Sequence, residues 1–477
     1  MKDLICVHTK KRLEYTSPQQ EQLNSPGSAY TYPVIDGIPV LLANPTLFLA
    51  ENYYLYGKYI LKQEEMAGNF GNVYQGLSFR KNAADNLQKS TLSNLRLIQN
   101  TISITEKYFD KAQLLNVAVN NKSQDLHQVK ALSYLKRDWC GLPEAEEQLS
   151  IIHNNLSAII REYCHDTQTA LILGAGLGRI AWDISDHFDH LYATDLALPM
   201  ASFYNMIAKG RQINFADINF SQIHYNIHST RNIAASASAV GYSDKDRTNI
   251  NNKISYFLSD ATRLPLPDCS VSCIFSVYFT DVLPFQQLFP EINRVLKKDG
   301  LFIHFGPLGN NFSQVQTMFT AEDIKAYLFK YEYEGVYEKT AGSFHMKTGE
   351  KMHADFYDNW IYAARKKEEA DEQLMAERLT ADSMIAIHSN FRFTIEGEKS
   401  ISGEAIKHTL YNCYKGREYK DAREVIEFLF LVNGKKSVRE LATEYGNQTG
   451  AGDSMQSVLS LTRFLVREQI LTIVKTS

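Results

Sequence analysis

The chain has 477 residues, of which 44% are hydrophobic and 22% are charged. One hydrophobic core rarely grows this large, so we expect about three domains. The formal net charge is only −4, and no tract is dense in lysine or arginine. This balance argues against a nucleic-acid footprint or a membrane-binding patch, although a nucleic-acid substrate stays open.

Targeting signals and cysteine pairs are missing from the pattern. Residues 1–25 contain no apolar core of signal-peptide length, and no later stretch approaches the ~18 uninterrupted apolar residues of a membrane span. The six cysteines are scattered without a C-x-x-C pair. We therefore expect a cytoplasmic protein with reduced thiols, no disulfide framework and no zinc site.

Residues 1–45 are predicted to form a separate β module. An apolar stretch begins at Leu4, a polar loop follows, and Asp36-Gly37 lies between two further apolar runs. Asp-Gly in this setting predicts a β-hairpin. Cys6 and His8 are too few ligands for a zinc knuckle, so no metal is expected.

Residues 46–165 are predicted to be helical. Aromatic and aliphatic side chains recur at spacings of three and four, as in the stretch 47–56. We expect these helices to form a cap over the segment that follows.

The most informative segment is an apolar run from Ala170 that ends in Gly174, Gly176 and Gly178, with Asp195 closing the next apolar run. Glycines at a strand end let a ligand approach bare backbone, and an acid after the next strand can hold a ribose. A plain strand-to-helix turn is the alternative. The G-x-G-x-G spacing resembles that of the class I S-adenosylmethionine (SAM) methyltransferases, which implies SAM as the cofactor.

A strand-and-helix alternation continues after this motif. It predicts a helix from Pro284 to Leu296 with a stop signal at Lys297-Lys-Asp-Gly300, and strands at 254–260, 271–278 and 300–305. Residues 166–366 are thus predicted to be an α/β core with a Rossmann-like doubly wound sheet. The polar stretch 229–252 is predicted to be a lid near the substrate or a disordered loop.

Several motifs lie in the order found in the carnosine N-methyltransferase family. They are Arg137-Asp-Trp139 within the segment Ala131–Glu146, Gly174–Trp182, Asn226-Ile-His228, Tyr278-Phe-Thr-Asp281 and Gly306-Pro-Leu308. Together they span about residues 130–365, and this part of the chain resembles that family. Members methylate an imidazole nitrogen with SAM.

The resemblance implies roles for individual residues. Arg137 would reach the cofactor carboxylate, although an exposed helix arginine is the alternative. Asp260 and Ala261 would contact the adenine, and Tyr278 would also contact the cofactor. Asp281 would face the substrate and accept the proton of one imidazole nitrogen, which leaves the other free to attack.

One further position has two interpretations, and two others depart from the family pattern. Tyr357 aligns with a tyrosine-rich strand near the substrate but could equally belong to the core. Asn311 stands where the family has a histidine, and asparagine cannot titrate. Either His228 or His304 takes over proton transfer, or water does, or the substrate differs. Asp195 replaces the family's usual glutamate, and either acid can hold ribose hydroxyls.

The N-terminal module resembles the Trm112-like β domain. Trm112-like proteins stabilise methyltransferases as partners, so the resemblance implies a fused copy of such a partner.

A predicted linker at 367–380 leads to a C-terminal domain, residues 381–477. A possible hairpin near Gly397 precedes helices at 422–432, at Ser437-Val-Arg-Glu-Leu-Ala and at 455–468. The domain resembles a PqqD-like winged helix, which implies that it binds the leader of a ribosomally made precursor peptide by strand addition. A DNA-binding winged helix is the rival, but the candidate recognition helix 455–463 has only one positive charge.

Together these patterns predict a SAM-dependent N-methyltransferase acting on a histidine imidazole in a peptide or a small molecule. One alternative is an inactive methyltransferase-like scaffold that recruits a peptide or a partner enzyme. Another is a peptide methyltransferase acting on a carboxylate or a backbone amide. Neither a nucleic-acid partner nor a membrane is expected.

Overall fold

The computed structural model describes residues 3–16, 21–73, 78–120, 130–219, 223–308, 317–347, 351–367, 379–387, 391, 393–399, 405–412, 417–420, 423–449, 455–468 and 470–475. The chain divides into two units. One comprises Met1–Phe285 and Val295–Lys367, and the other comprises Gln286–Arg294 and Glu368–Ser477.

The N-terminal sheet has four antiparallel strands: β1 (Glu14–Tyr15), β2 (Gln22–Asn24), β3 (Thr31–Ile35) and β4 (Ile38–Pro39). The predicted hairpin is confirmed, because Asp36 and Gly37 have φ angles of 52° and 96°, as a type I′ turn requires. Val40 forms a parallel bridge with Leu258, and the Leu41 N–H donates to the Leu258 carbonyl at 2.7 Å. The module thus joins a strand of the central sheet.

Five helices follow, as the spacing of apolar residues predicts: α1 (Pro45–Val73), α2 (Lys81–Ser103), α3 (Lys111–Asn120), α4 (Ala131–Trp139) and α5 (Pro143–Tyr163). The buried residues of α2, among them Leu87, Leu95, Ile98 and Ile102, share one face. Pro143 occupies the start of α5, where its missing N–H costs nothing.

The central sheet contains β5 (Thr169–Leu173), β6 (His190–Asp195), β9 (Ile254–Leu258), β10 (Val271–Val277), β11 (Leu296–Gly306), β12 (Tyr333–His345) and β13 (Asp355–Lys366). Its strand order is β12-β13-β11-β10-β5-β6-β9. Five neighbouring strands of this sheet, β11, β10, β5, β6 and β9, are parallel to one another. β13 pairs antiparallel with β11, and β12 pairs antiparallel with β13. Every residue of β10 is buried, as expected for a strand covered on both faces.

The strand order reverses at β5, because the chain adds β6 and β9 on one side and β10 and β11 on the other. Ligands bind at such a switch point, beyond the carboxyl ends of the strands. The helices that connect these strands along the chain are α6 (Arg179–Asp183), α7 (Leu198–Ala208), α8 (Asp244–Lys253), α9 (Phe285–Val295) and α10 (Ala321–Lys330), and residues Gln286–Arg294 of α9 belong to the other unit. The predicted Rossmann-like α/β class is confirmed.

One local prediction is wrong. The stretch 229–252 is not a loop, because β8 (Thr230–Ala235) pairs along its whole length with β7 (Ile213–Ile218), and α8 begins at a capping box between Ser243 and Asp246. The helix predicted from Pro284 to Leu296 is confirmed, because α9 spans Phe285–Val295. The strand predicted at 300–305 begins earlier, because β11 starts at Leu296.

The C-terminal unit has two sheets. β14 (Met384–Ile387) pairs with β18 (Leu471–Lys475), and β15 (Phe393–Lys399), β16 (Ala405–Asn412) and β17 (Arg417–Lys420) form an antiparallel sheet. Gly397 lies inside β15 opposite His408, so the hairpin closes beyond it. Helices α11 (Arg423–Leu431), α12 (Val438–Thr449) and α13 (Met455–Arg467) follow near their predicted positions. Within the described ranges, no helix is long and apolar enough to cross a membrane.

Candidate active site

The glycine motif forms the turn between β5 and α6. Gly174, Gly176 and Gly178 have φ angles of 60°, 55° and 75°, a region that L side chains rarely adopt. A Cβ atom on Gly174 would lie 2.2 Å from the Phe279 ring, and one on Gly178 would lie 2.4 Å from the Tyr204 ring. A Cβ atom on Gly176 would meet only Met200 Sδ, at 3.8 Å. Two glycines are therefore needed for packing, whereas Gly176 faces open space.

The acid that closes β6 is held by this turn. Asp195 Oδ2 accepts the Gly176 N–H at 2.8 Å, and Oδ1 accepts the N–H groups of Leu196 and Ala197 at 2.7 and 2.8 Å. Burial raises the pKa of Asp195 above its ordinary value, although these three donors oppose the shift. The carboxylate is thus fixed beside the open face of the turn.

The neighbouring strand β9 contributes the next acid. Asp260 Oδ1 accepts the Thr262 N–H at 2.8 Å and the Thr262 hydroxyl at 2.7 Å, and Ala261 is buried. Tyr256 donates its hydroxyl to the Gly176 carbonyl at 2.6 Å. Because β6 and β9 are adjacent and parallel, both acids lie at the same edge of the sheet.

Arg137 lies on α4 and is almost fully covered. Its side chain is 10% exposed, Nε donates to Asp138 Oδ1 at 2.5 Å, and the guanidinium lies 4.8 Å from the Tyr134 ring centroid. Burial disfavours the charge, but Asp138 outweighs burial, so the pKa of Arg137 is raised. The predicted alternative of an exposed helix arginine is wrong.

Arg179, the first residue of α6, joins three helices. Its guanidinium donates to both carboxylate oxygens of Glu146 at 2.9 and 2.8 Å, to the Asp138 carbonyl at 2.8 Å and to Asp183 Oδ1 at 2.8 Å. Trp139 Nε1 donates to the Leu177 carbonyl at 3.0 Å. These bonds position α4, and with it Arg137, over the glycine turn.

Tyr278, just after β10, adopts the left-handed conformation with φ 51°. Its N–H donates to the Phe305 carbonyl at 2.9 Å, and its hydroxyl accepts from Gln148 Nε2 at 3.4 Å. A Cβ atom on Gly306 would lie 3.2 Å from the Tyr278 nitrogen. Gly306 therefore allows the backbone after β10 to approach the end of β11 closely.

His345, at the end of β12, is a site residue that the sequence analysis missed. Its ring centroid lies 5.2 Å from that of Tyr278 and 5.1 Å from that of Tyr357. Gln148 Oε1 accepts the Met346 N–H at 3.1 Å, so its Nε2 is the donor to His345 Nδ1 at 3.3 Å. Burial and then the charge of Arg137 lower the pKa of His345 to about 4. The ring is neutral at pH 7, with its proton on Nε2.

Asp281 lies near the predicted substrate residue Tyr357. Burial raises the pKa of Asp281. The pKa of Tyr357 is raised by burial and by the charges of Asp355 and Asp281, and that of Tyr134 by burial, Asp138, Asp281 and Asp195, against Arg137. The carboxyl after β10 and the acid after β6 therefore both act on Tyr134, and the carboxyl after β10 also acts on Tyr357.

The predicted substitute histidines lie in other surroundings. His304 is buried, its Nε2–H donates to the Gly306 carbonyl at 3.2 Å, and its Nδ1 accepts the Thr280 hydroxyl at 3.1 Å. Burial lowers its pKa to about 4. His228 packs against Tyr225, with ring centroids 5.5 Å apart. Asn311 lies outside the described residues.

A cleft of 450 Å³ opens beside these groups. Arg137 and Tyr357, both predicted site residues, line it together with Tyr134 and His345. The other lining residues are Lys130, Ser133, Lys136, Leu142, Ala145, Asp217, Ile218, Met346, Lys347, Lys351, His353, Ala354 and Asp355. Its volume is within the usual range of small-molecule sites.

Comparison of the chain with known protein families shows which family it belongs to. The model of the family described as carnosine N-methyltransferase matches residues 115–368, which include all seven strands of the central sheet. The chain belongs to the carnosine N-methyltransferase family. It is a SAM-dependent methyltransferase, and SAM is its cofactor. The open face of Gly176 and the fixed carboxylate of Asp195 fit such a cofactor.

The solved structures similar to this carnosine N-methyltransferase family member include proteins described as methyltransferases. The YcgJ protein of Bacillus subtilis is 12% identical, with 45% of this chain and 99% of that chain covered and a TM-score of 0.30. A SAM-dependent methyltransferase of Methanosarcina mazei is 14% identical, with 44% and 98% covered and a TM-score of 0.30. The fold assignment therefore rests on the strand order and the family match.

A further likeness concerns a short stretch of the chain. Over 48 residues it is 48% identical to a UPF0434 protein of Methylobacterium sp. (strain 4-46), which covers 10% of this chain and 71% of that protein.

Proposed function

We propose that the chain transfers the methyl group of SAM to a ring nitrogen of a histidine imidazole, in a peptide or a histidine-containing small molecule. The observation that carries this proposal is the position of Asp281, directly after β10 and close enough to Tyr357 to raise its pKa. Tyr357 lines the cleft beside Arg137. We infer that this carboxylate, at the carboxyl edge of the sheet, orients a ring that enters the cleft beside Tyr357.

The residues around the glycine turn would hold the cofactor. In this proposal Asp195 accepts the ribose hydroxyls, Asp260 and Ala261 flank the adenine, and Arg137 pairs with the cofactor carboxylate. Tyr278 packs against His345 and Tyr357, two residues that line the cleft. When bound, SAM supplies a methyl group activated by its sulfonium.

Asp281 provides the proton acceptor. It accepts the proton of one ring nitrogen, so the other nitrogen keeps its lone pair and forms the N–CH₃ bond as the S–CH₃ bond breaks. Burial raises the pKa of Asp281, which makes its carboxylate a stronger base. His304 is not used, because its two nitrogens are bonded to Thr280 and Gly306.

The test uses SAM that carries a trideuterated methyl group, with carnosine and a histidine peptide as acceptors and mass mapping of the labelled atom. We expect label on a ring nitrogen, and we expect Asp281→Asn to lower kcat by about a hundredfold with an unchanged Kd for SAM. Asp189→Asn, at an exposed position, is the matched control. Label on a carboxylate or a backbone amide contradicts the proposal and favours those acceptors.

A peptide acceptor receives support from the C-terminal unit. Within the described residues, β15 and β17 are the outer strands of a three-stranded antiparallel sheet. An outer strand can pair with an extended leader segment, as proposed for a PqqD-like domain. Turnover of carnosine without turnover of histidine peptides contradicts this part of the proposal.

A further inference from the structure

The cleft is much more basic than the chain as a whole. Five cationic side chains line it, Lys130, Lys136, Arg137, Lys347 and Lys351, against two carboxylates. The whole chain, in contrast, has a formal net charge of −4. The lysine, arginine and aspartate side chains of the lining thus carry an excess of three positive charges, whereas the chain as a whole is negative.

Two of the cations have carboxylate partners. Lys136 pairs with Asp217, and both side chains are nearly buried. Arg137 pairs with Asp138. Because each pair is nearly neutral, neither attracts an anionic ligand strongly to the outer part of the cleft, which is the part lined by Lys130, Lys347 and Lys351.

Three lysines have no carboxylate partner among the described residues: Lys130, Lys347 and Lys351. Lys130 precedes α4, whereas Lys347 and Lys351 lie between β12 and β13. Lys347 Nζ lies 4.4 Å from the Phe344 ring centroid. These lysines come from two chain segments and line one cleft, so their charges add there.

The charge of Lys130 extends to the inner groups of the site. It favours the ionised form of Asp281 and the neutral form of His345. Because Gln148 donates to His345 Nδ1, the Nε2–H of that ring is the nitrogen left to donate to a ligand. The cleft thus combines three ammonium groups with one neutral N–H donor.

We propose that this outer part of the cleft binds an acidic group of the methyl acceptor, so that the enzyme selects imidazoles flanked by a carboxylate. The inference rests on the proposed function, because it concerns the acceptor that enters the same cleft. The carboxylate lies between Lys130, Lys347 and Lys351 and accepts the His345 N–H. It comes either from the free carboxyl terminus of a small acceptor or from a glutamate beside the histidine of a peptide.

Two acceptor pairs distinguish these sources. One is carnosine and its carboxamide, and the other is a histidine peptide with glutamate or glutamine next to the histidine. For wild-type protein we expect the carboxylate member of at least one pair to have a KM about tenfold lower at similar kcat, with a difference that shrinks as salt increases.

Variants connect this preference with the lysines. Lys347→Gln combined with Lys351→Gln is expected to raise KM about tenfold for the preferred carboxylate acceptor and to leave KM for its neutral counterpart unchanged, because neither lysine acts on Asp281. Lys298→Gln, at an exposed position on β11, is the matched control. An equal rise for both members of a pair, or no preference in the wild type, overturns the proposal.

Binding separates this inference from the proposed function. The same acceptors are titrated by calorimetry into protein saturated with S-adenosylhomocysteine, where no methyl group can move. Lysine-dependent binding of the carboxylate acceptor without methyl transfer in the SAM assay supports the subsite and contradicts the imidazole reaction. Equal binding of carboxylate and carboxamide overturns the subsite whatever the turnover.

Discussion

Alanine at Gly176 and at Gly178 should have opposite consequences, although both glycines have a positive φ. At Gly178 the new methyl group would lie 2.4 Å from the Tyr204 ring, which is buried and stacked on Tyr256 at 4.3 Å. Strain from the left-handed conformation costs about 1–2 kcal/mol, and overpacking adds about 1–3 kcal/mol. Gly178→Ala should therefore lower the free energy of unfolding by about 2–5 kcal/mol.

At Gly176 the steric term is absent, since the nearest atom outside the turn, Met200 Sδ, is 3.8 Å away. The free energy of unfolding should fall only by the conformational strain, about 1–2 kcal/mol. The methyl group would instead occupy the open side next to Asp195, and we expect the Kd for SAM to rise at least about tenfold.

Denaturant unfolding without SAM and calorimetric titration with SAM measure the two effects separately. Gly241→Ala is the control for conformational strain, because Gly241 has a φ of 92° and nothing within 4 Å of the new methyl group. Wild-type SAM affinity in Gly176→Ala would refute the cofactor position. Wild-type stability in Gly178→Ala would refute the packing argument.

Four further variants test other parts of the structure. Asp195→Ala should abolish the SAM binding seen by calorimetry in the wild type, and retained affinity would show that this acid does not hold the ribose. Arg179→Met removes the cation that pairs with Glu146 and Asp183, and it should lower the free energy of unfolding by about 3–5 kcal/mol. A loss below about 1 kcal/mol in urea unfolding would contradict this expectation. His304 binds a proton near pH 6.5 in the unfolded chain but only near its pKa of about 4 in the folded chain. The free energy of unfolding should therefore fall by about 3 kcal/mol as the pH is lowered from 6.5 to about 4. His304→Gln should flatten that dependence, measured as urea unfolding at several pH values, and an unchanged slope counts against it. Leu41→Pro removes one backbone donor to β9 and should lower the unfolding midpoint, whereas an unchanged midpoint would show that the bridge contributes nothing.

The sequence predicts those structural features that depend on residues close to one another along the chain. The glycine turn, the acids after β6 and β9, and the Asp36-Gly37 hairpin are all specified by neighbouring residues. The capping box between Ser243 and Asp246 is equally local, and attention to it would have predicted α8 instead of a loop.

The rest of the site depends on residues that are distant in sequence. His345 reaches Tyr278 because β12 folds back at the far edge of the sheet, and Gln148 reaches both from α5. Glu146 and Arg179 meet for the same reason. Hydrophobic periodicity specifies which face of an element is buried, but it does not specify which polar side chains meet across elements.

The bridge from Val40 to Leu258 also affects how the protein is made. An uncovered outermost strand offers unpaired amide and carbonyl groups to other chains and so promotes aggregation. Here a segment that is synthesised earlier protects a strand that is synthesised much later, so the module around Val40 must wait for its docking site. A nascent chain that has not yet reached Leu258 is therefore exposed to misassembly for longer than the finished fold suggests.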